Sequence, residues 1–186
     1  MITIKSEKEI ELIRHAGLLV SKTHEYLKQF IKPGITTIEL DSLAEKFIRE
    51  NDAIPTCKGY EGFPNALCIS VNDEVVHGIP GKRKLKNGDI VTIDMVIGYH
   101  GYQADAAWTY AVGNISDEKK YLMEHTKNAL YEGVKMVKPG NRIGDISNAV
   151  ETYARKHKLG IVRELVGHGI GSNMHEEPDV PNFGKK

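Results

Sequence analysis

A few short stretches of this chain of 186 residues bring imidazole, carboxylate and thiol side chains close together in sequence. In LVGHGIGSNMHEEPDVP, His168 sits between Gly167 and Gly169, and His175 follows seven residues later. Glycine lacks a Cβ, so backbone and neighbouring side chains beside it can approach a ligand closely. In DIVTIDMVIGYHGYQADAAW, Asp94 and Asp105 stand on either side of GYHG. If Tyr99-His100 is a two-residue hairpin loop, Gly98 pairs with Gly101 and Asp94 faces Asp105. Directly opposed side chains have Cβ atoms roughly 5 Å apart. Two carboxylates at that spacing repel each other. Either one is protonated or a divalent cation joins them, since hard cations take carboxylate oxygens. No lysine or arginine lies within the two strands to offer another answer. A solvent-facing pair, or a longer loop with a different register, stays open from the hairpin alone. Carboxylates with imidazole suit borderline metals such as Mn, Fe, Co or Zn.

Under an internal repeat, His77 in VVHGIPG is the candidate counterpart of His175. Two such histidines flanking an acidic metal site would serve substrate hydrogen bonding or proton transfer. His15, His24, His125 and His157 fall on expected helices and are expected to be solvated. His100 is expected to be a turn residue only.

The elements that must position these groups can be read from periodicity. Ser6 with Glu9 forms a capping-box pattern, and helical spacing then runs to about Phe30. Lys32-Pro33-Gly34 ends that helix, because proline disfavours the helical conformation in the residue before it. Leu40, Leu43, Ala44, Phe47 and Ile48 make one apolar face of a second helix. ALCISVN (66–72), DIVTIDMVI (89–97) and YQADAAWTYAV (102–112) read as strands. After Ser116 the order restarts, with a helix to about Val137 and a second KPG at 138–140. Shifting the first part by 106 residues lays Pro33 on Pro139. The same shift lays the second helix's five apolar positions on Ile146, Ala149, Val150, Tyr153 and Ala154. The expectation is one α+β domain over 1–186, built from pseudo-repeats of about 6–112 and 116–186. The second repeat is expected to be incomplete, because it has no counterpart of Asp89 to Val112.

Lys and Arg total 25, as do Asp and Glu, so formal charge is zero. That balance argues against a nucleic-acid footprint, although it leaves room for a local patch. The two cysteines, Cys57 and Cys68, are no disulfide framework. The charged start MITIKSEKEI lacks the apolar core of a signal peptide. No apolar run approaches the ~20 residues of a membrane span. A cytoplasmic monomer without membrane or specific nucleic-acid partners is expected.

Over the whole chain, CISVNDEVVHGIPG, DIVTIDMVIGYHGYQADAAWTYAVG and VGHGIGSNMHEEPDVPNFG resemble the type I methionine aminopeptidases of peptidase family M24. The resemblance implies the pita-bread (creatinase/aminopeptidase) fold and metal-dependent removal of the initiator methionine from nascent proteins. It implies two divalent ions (Co, Mn, Fe or Zn), with Asp94, Asp105 and His168 as ligands and Asp105 bridging. It implies that His77 and His175 are catalytic and flank the bound peptide. Cys57, Tyr60, Phe63 and Cys68 match positions around the methionine side chain; relatives often carry tyrosine where Phe63 stands. The family's co-translational role implies the ribosome as a partner, although no patch for it is readable here. Relatives continue past Lys186 and supply two further glutamate ligands. The expectation is a C-terminally truncated chain with weak metal binding and low or no activity. The alternatives are a catalytically impaired fragment, a non-enzymatic peptide-binding pita-bread protein, or another pita-bread hydrolase such as a prolidase or aminopeptidase P. The short N-terminus speaks against the last.

Overall fold

The computed structural model describes all 186 residues. Contacts divide the chain into two compact units. The first comprises Ile4–Ile115 with Ile170–Met174; the second comprises Met1–Thr3, Ser116–Gly169 and His175–Lys186.

The first unit opens with α1 (Glu7–Lys28) and α2 (Thr37–Glu50). Both start on capping boxes. Glu9 accepts from the Ser6 N–H at 2.7 Å, and Glu39 accepts from the Thr36 N–H at 2.7 Å. These carboxylates satisfy orphan donors where the helix dipole favours negative charge. Four strands follow: β1 (Ile54–Pro55), β2 (Cys68–Val71), β3 (Ile90–Tyr99) and β4 (Tyr102–Ala111). β3 is central. β1 and β2 pair antiparallel with successive stretches of β3, and β4 pairs antiparallel with its whole length. Val91, Ile93, Met95 and Ile97 alternate along β3 into one core with Leu19, Val20 and Leu27 of α1 and Leu40, Ala44 and Ile48 of α2. Burying each such side chain contributes about 1.5–3 kcal/mol. The other face of β3 is therefore left for Thr92, Asp94 and Val96.

The register of the β3–β4 hairpin corrects the sequence expectation. Tyr99 pairs with Tyr102, so the turn is His100-Gly101 rather than Tyr99-His100. Both turn residues have positive φ, 47° at His100 and 84° at Gly101. A two-residue turn of this kind favours glycine at its second position. Centring it one residue earlier would force Tyr99 into the left-handed region. Asp94 consequently pairs with Ala107, and Asp105 with Val96. The partner changes by two residues, so both aspartates keep the same face of the sheet.

In the second unit, α3 (Asp117–Val134) and α4 (Ile143–Lys156) pack on each other, and β5 (Gly167–Gly169) pairs antiparallel with β6 (Glu176–Val180). The helices repeat those of the first unit closely. α1 and α3 end 106 residues apart, and both ends of α2 and α4 are displaced by the same 106. Gly34 and Gly140, in the two KPG turns, have φ of 98° and 92°. Glu45–Arg49 and Glu151–Arg155 form equivalent ion pairs at 2.8 and 2.7 Å. α3 is four residues shorter at its start than α1 by this alignment (Asp117 against Glu7). No helix is long and apolar enough to cross a membrane.

Candidate functional site

The polar face of the first unit's sheet carries Cys68 and Ser70 from β2, Thr92, Asp94 and Val96 from β3, and Gln103, Asp105, Ala107 and Thr109 from β4. Thr92 Oγ1 and Thr109 Oγ1 share a hydrogen bond of 2.8 Å across the ladder. Asp94 and Asp105 are diagonal neighbours on this face, a relation that puts Cα atoms about 7–8 Å apart. The direct opposition expected from the sequence is absent, but the pair still shares a surface without lysine or arginine. Hard oxygen donors so placed fit a divalent cation. His, Cys, Asp and Glu side chains nowhere form a group of three or more able to hold an ion. Within this unit the protein donors are therefore the two carboxylates, and water would complete a coordination shell.

Cys68 pairs directly with Asp94. Cys57 follows the segment in which Thr56 N–H donates to Val96 O at 2.9 Å. The two cysteines thus meet along one edge of β3, both buried, with their thiols hydrogen-bonded. The Cys68 thiol is held well above its ordinary pKa by that hydrogen bond, by burial, and by the negative charge of Cys57, Asp94 and Asp105. Cys57, Val96 and Met174 form a small buried cluster, with Phe63 and Ile170 packed against it. Tyr60 begins a tight turn (Tyr60–Gly62) and is 39% exposed. The structure therefore brings Cys57, Phe63 and Cys68 to one side of the sheet and leaves Tyr60 at its margin.

His77 is exposed and has a positive φ of 58°. Its neighbour Gly78 explains how it is held. Gly78 O accepts from the Ile69 N–H at 2.8 Å, and Gly78 N–H donates to Ser70 Oγ at 3.1 Å. A Cβ at residue 78 would lie 2.2 Å from Ile69 O. Only glycine lets the loop press against β2 in this way.

In the second unit, His168 lies on β5 opposite Asp179, and His175 immediately precedes β6. Their rings meet edge to face with centroids 4.4 Å apart. His168 Nδ1 lies 2.9 Å from Gly169 O. A Cβ at Gly169 would lie 2.4 Å from Glu177 O, so this glycine serves the close approach of β5 to β6.

The histidines expected to be solvated are not all so. His24 is 8% exposed, with Nδ1 3.1 Å from Tyr110 Oη and Nε2 3.3 Å from Ala106 O. Burial pushes its pKa below the ordinary value, against the raising effects of the Ala106 bond and of Asp94 and Glu25. An amphipathic helix pattern does not show that a strand lies over the imidazole. His125 and His157 stack at 3.9 Å, flanked by Tyr121 and Tyr153, and His15 stacks on Tyr99 at 4.0 Å. His100 is a turn residue, as expected.

Sequence reasoning passed over several residues that shape this surface. Asp41, buried on α2, accepts from Asn65 Nδ2 at 2.8 Å and from the Leu67 N–H at 2.9 Å, fixing the approach to Cys68. Burial raises its pKa, and these hydrogen bonds act in the opposite direction. Val96, Gln103, Ile170 and Met174 were equally silent. A carboxylate beside the apolar stripe Leu40, Leu43 and Ala44 was the one available signal.

Residues 11–186 match Metallopeptidase family M24. The chain is 52% identical over 184 residues to methionine aminopeptidase 1 of Bacillus subtilis (strain 168), covering 99% of this chain and 74% of that protein. Among solved structures, methionine aminopeptidase from Rickettsia prowazekii superposes with a TM-score of 0.97 at 40% identity, covering 100% of this chain and 75% of that one. The Thermotoga maritima methionine aminopeptidase gives 0.96 at 39% identity, covering 99% and 74%. The chain thus spans about three quarters of the length of these relatives, and its fold is the pita-bread fold.

Proposed function

The chain belongs to metallopeptidase family M24, and from that premise we propose that it removes the N-terminal methionine from nascent proteins by metal-dependent hydrolysis. The observation that carries the reading is the shared sheet face of Asp94 and Asp105, beside the apolar cluster of Cys57, Val96, Phe63, Ile170 and Met174. An acidic surface for a cation next to an apolar cluster fits a substrate that joins a free amine to a thioether side chain. Cysteine and aromatic groups suit a thioether, which is soft and flexible.

Asp94, Asp105 and His168 are assigned as the side chains that would hold two divalent ions of Co, Mn, Fe or Zn. When bound, such ions supply a hydroxide near neutral pH and a Lewis acid for the carbonyl oxygen. His77 and His175 are assigned to the peptide, donating to its carbonyl oxygen or handling the proton of its nitrogen. Cys57, Tyr60, Phe63 and Cys68 surround the methionine side chain. Nascent chains place the reaction in the cytoplasm, near the ribosome.

The test is release of methionine from Met-Ala-Ser by this chain with added Mn or Co. Release that requires the metal and disappears in Asp94→Ala supports the proposal. No release from the full chain at any metal concentration refutes it, and favours a catalytically impaired fragment or a relative that binds peptides without cleaving them.

A further inference from the structure

We propose that Gln103 is a positioning residue. It latches segment 170–174 onto β4, holds Ile170 and Met174 over Cys57, and so sets which side chains can pack against this apolar cluster. The selectivity half of this inference rests on the proposed function; the latch does not.

Gln103 lies on the face of Asp105, opposite Gly98 in the ladder. It binds the segment twice. Its backbone N–H donates to Gly171 O at 2.9 Å, and its Nε2 donates to Ser172 O at 3.0 Å. Within the segment, Gly171 N–H donates to Asn173 O at 3.1 Å, which curls it between these contacts. The residues at its two ends, Ile170 and Met174, pack into the cluster with Cys57, Val96 and Phe63. Met174 is 7% exposed and Cys57 9%, so the segment is a cover over the thiol.

The orientation of the Gln103 amide is chemically determined. A carbonyl oxygen only accepts, so Nε2 must face Ser172 O. That leaves Gln103 Oε1 buried without a partner. A buried unsatisfied acceptor is rare and calls for an explanation. Here it is the consequence of tying down a segment that has no ladder of its own. Methionine is unbranched with several rotatable bonds, so Met174 alone would make a yielding wall. The latch makes it a defined one, favouring slender side chains over branched ones.

Two variants test this in the full chain. Gln103→Met keeps the approximate shape and removes the donor; Gln103→Lys restores a donor. Iodoacetamide labelling of Cys57 is followed by peptide mass spectrometry. Losing one hydrogen bond is expected to speed labelling roughly two- to tenfold in Gln103→Met, with Gln103→Lys near wild type. Equal rates in Gln103→Met and wild type overturn the latch. Should Gln103→Met melt early, the near-isosteric Gln103→Glu, which as a carboxylate also has no donor for Ser172 O, is read the same way. For selectivity, the ratio of Met-Ala-Ser to Leu-Ala-Ser cleavage should fall in Gln103→Met by a factor of about two to ten. An equal loss on both peptides would mark a merely structural residue and overturn the selectivity role. If wild type releases no methionine, the proposed function and the selectivity role fall together, while Cys57 labelling still decides the latch.

Discussion

Replacing Gly78 by alanine tests how His77 is held. The added Cβ would sit 2.2 Å from Ile69 O, 2.8 Å from Ile69 C and 3.0 Å from Ser70 Cα. All three are backbone atoms of β2, which is paired with β3 and cannot retreat as a flexible side chain would. The loop must therefore lift away. Doing so sacrifices the Ile69 N–H to Gly78 O bond of 2.8 Å and the Gly78 N–H to Ser70 Oγ bond of 3.1 Å. Two hydrogen bonds at about 0.5–1.5 kcal/mol each give an expected loss of about 1–3 kcal/mol. Urea unfolding followed by Trp108 fluorescence reads this directly, because Trp108 is the chain's one tryptophan and lies on β4 of the same unit. The midpoint should fall with the slope unchanged. Amide exchange at Ile69 should accelerate, and turnover should drop as His77 loses its seat. Gly17→Ala is the control. Its Cβ would make an ordinary 3.8 Å contact with Ala104 Cβ. A helix-interior glycine replaced by alanine should stabilise by roughly 0.5–1 kcal/mol. A Gly78→Ala protein within about 0.5 kcal/mol of wild type, with Ile69 still protected, would refute the reasoning.

Three further outcomes are expected. Asp105→Ala should abolish calorimetric binding of Mn or Co, whereas Asp117→Ala should not, since Asp117 heads α3 and pairs with Lys120 at 2.8 Å; equal affinities would count against the shared-face assignment. Burial depresses the folded pKa of His24 below 6.5, so its contribution to stability is present above about pH 6.5 and is lost as pH falls towards the folded value. Denaturation midpoints at pH 7.5 and 5.5 should therefore differ more in wild type than in His24→Gln, and identical differences would exclude His24 as the source. Leu85 is 1% exposed and its backbone exchanges bonds with Gly34 and Ile35, so Leu85→Ala should cost about 2–5 kcal/mol and speed proteolysis within 82–86; an unchanged urea midpoint would show that this loop is anchored elsewhere.

What the sequence determined by itself was the local and periodic part. The Ser6/Glu9 capping box, the KPG turns and the duplicated apolar faces of α2 and α4 depend on residues a few positions apart, and the helix ends follow the 106-residue shift. The family motifs were legible for the same reason, since each is a contiguous run. Only the tertiary structure decided the rest. The hairpin register turned on which residue of GYHG accepts a left-handed backbone, and Gly101 at the second turn position outweighed the symmetry that had set Asp94 against Asp105. His24 read as an outer helix residue because nothing nearby in sequence shows that Ala106 and Tyr110 cover it. Gln103 and Met174 lie 71 residues apart, and neither carries a motif. Their relation arises because a loop without its own hydrogen-bond ladder must borrow donors from whichever strand the fold places beside it.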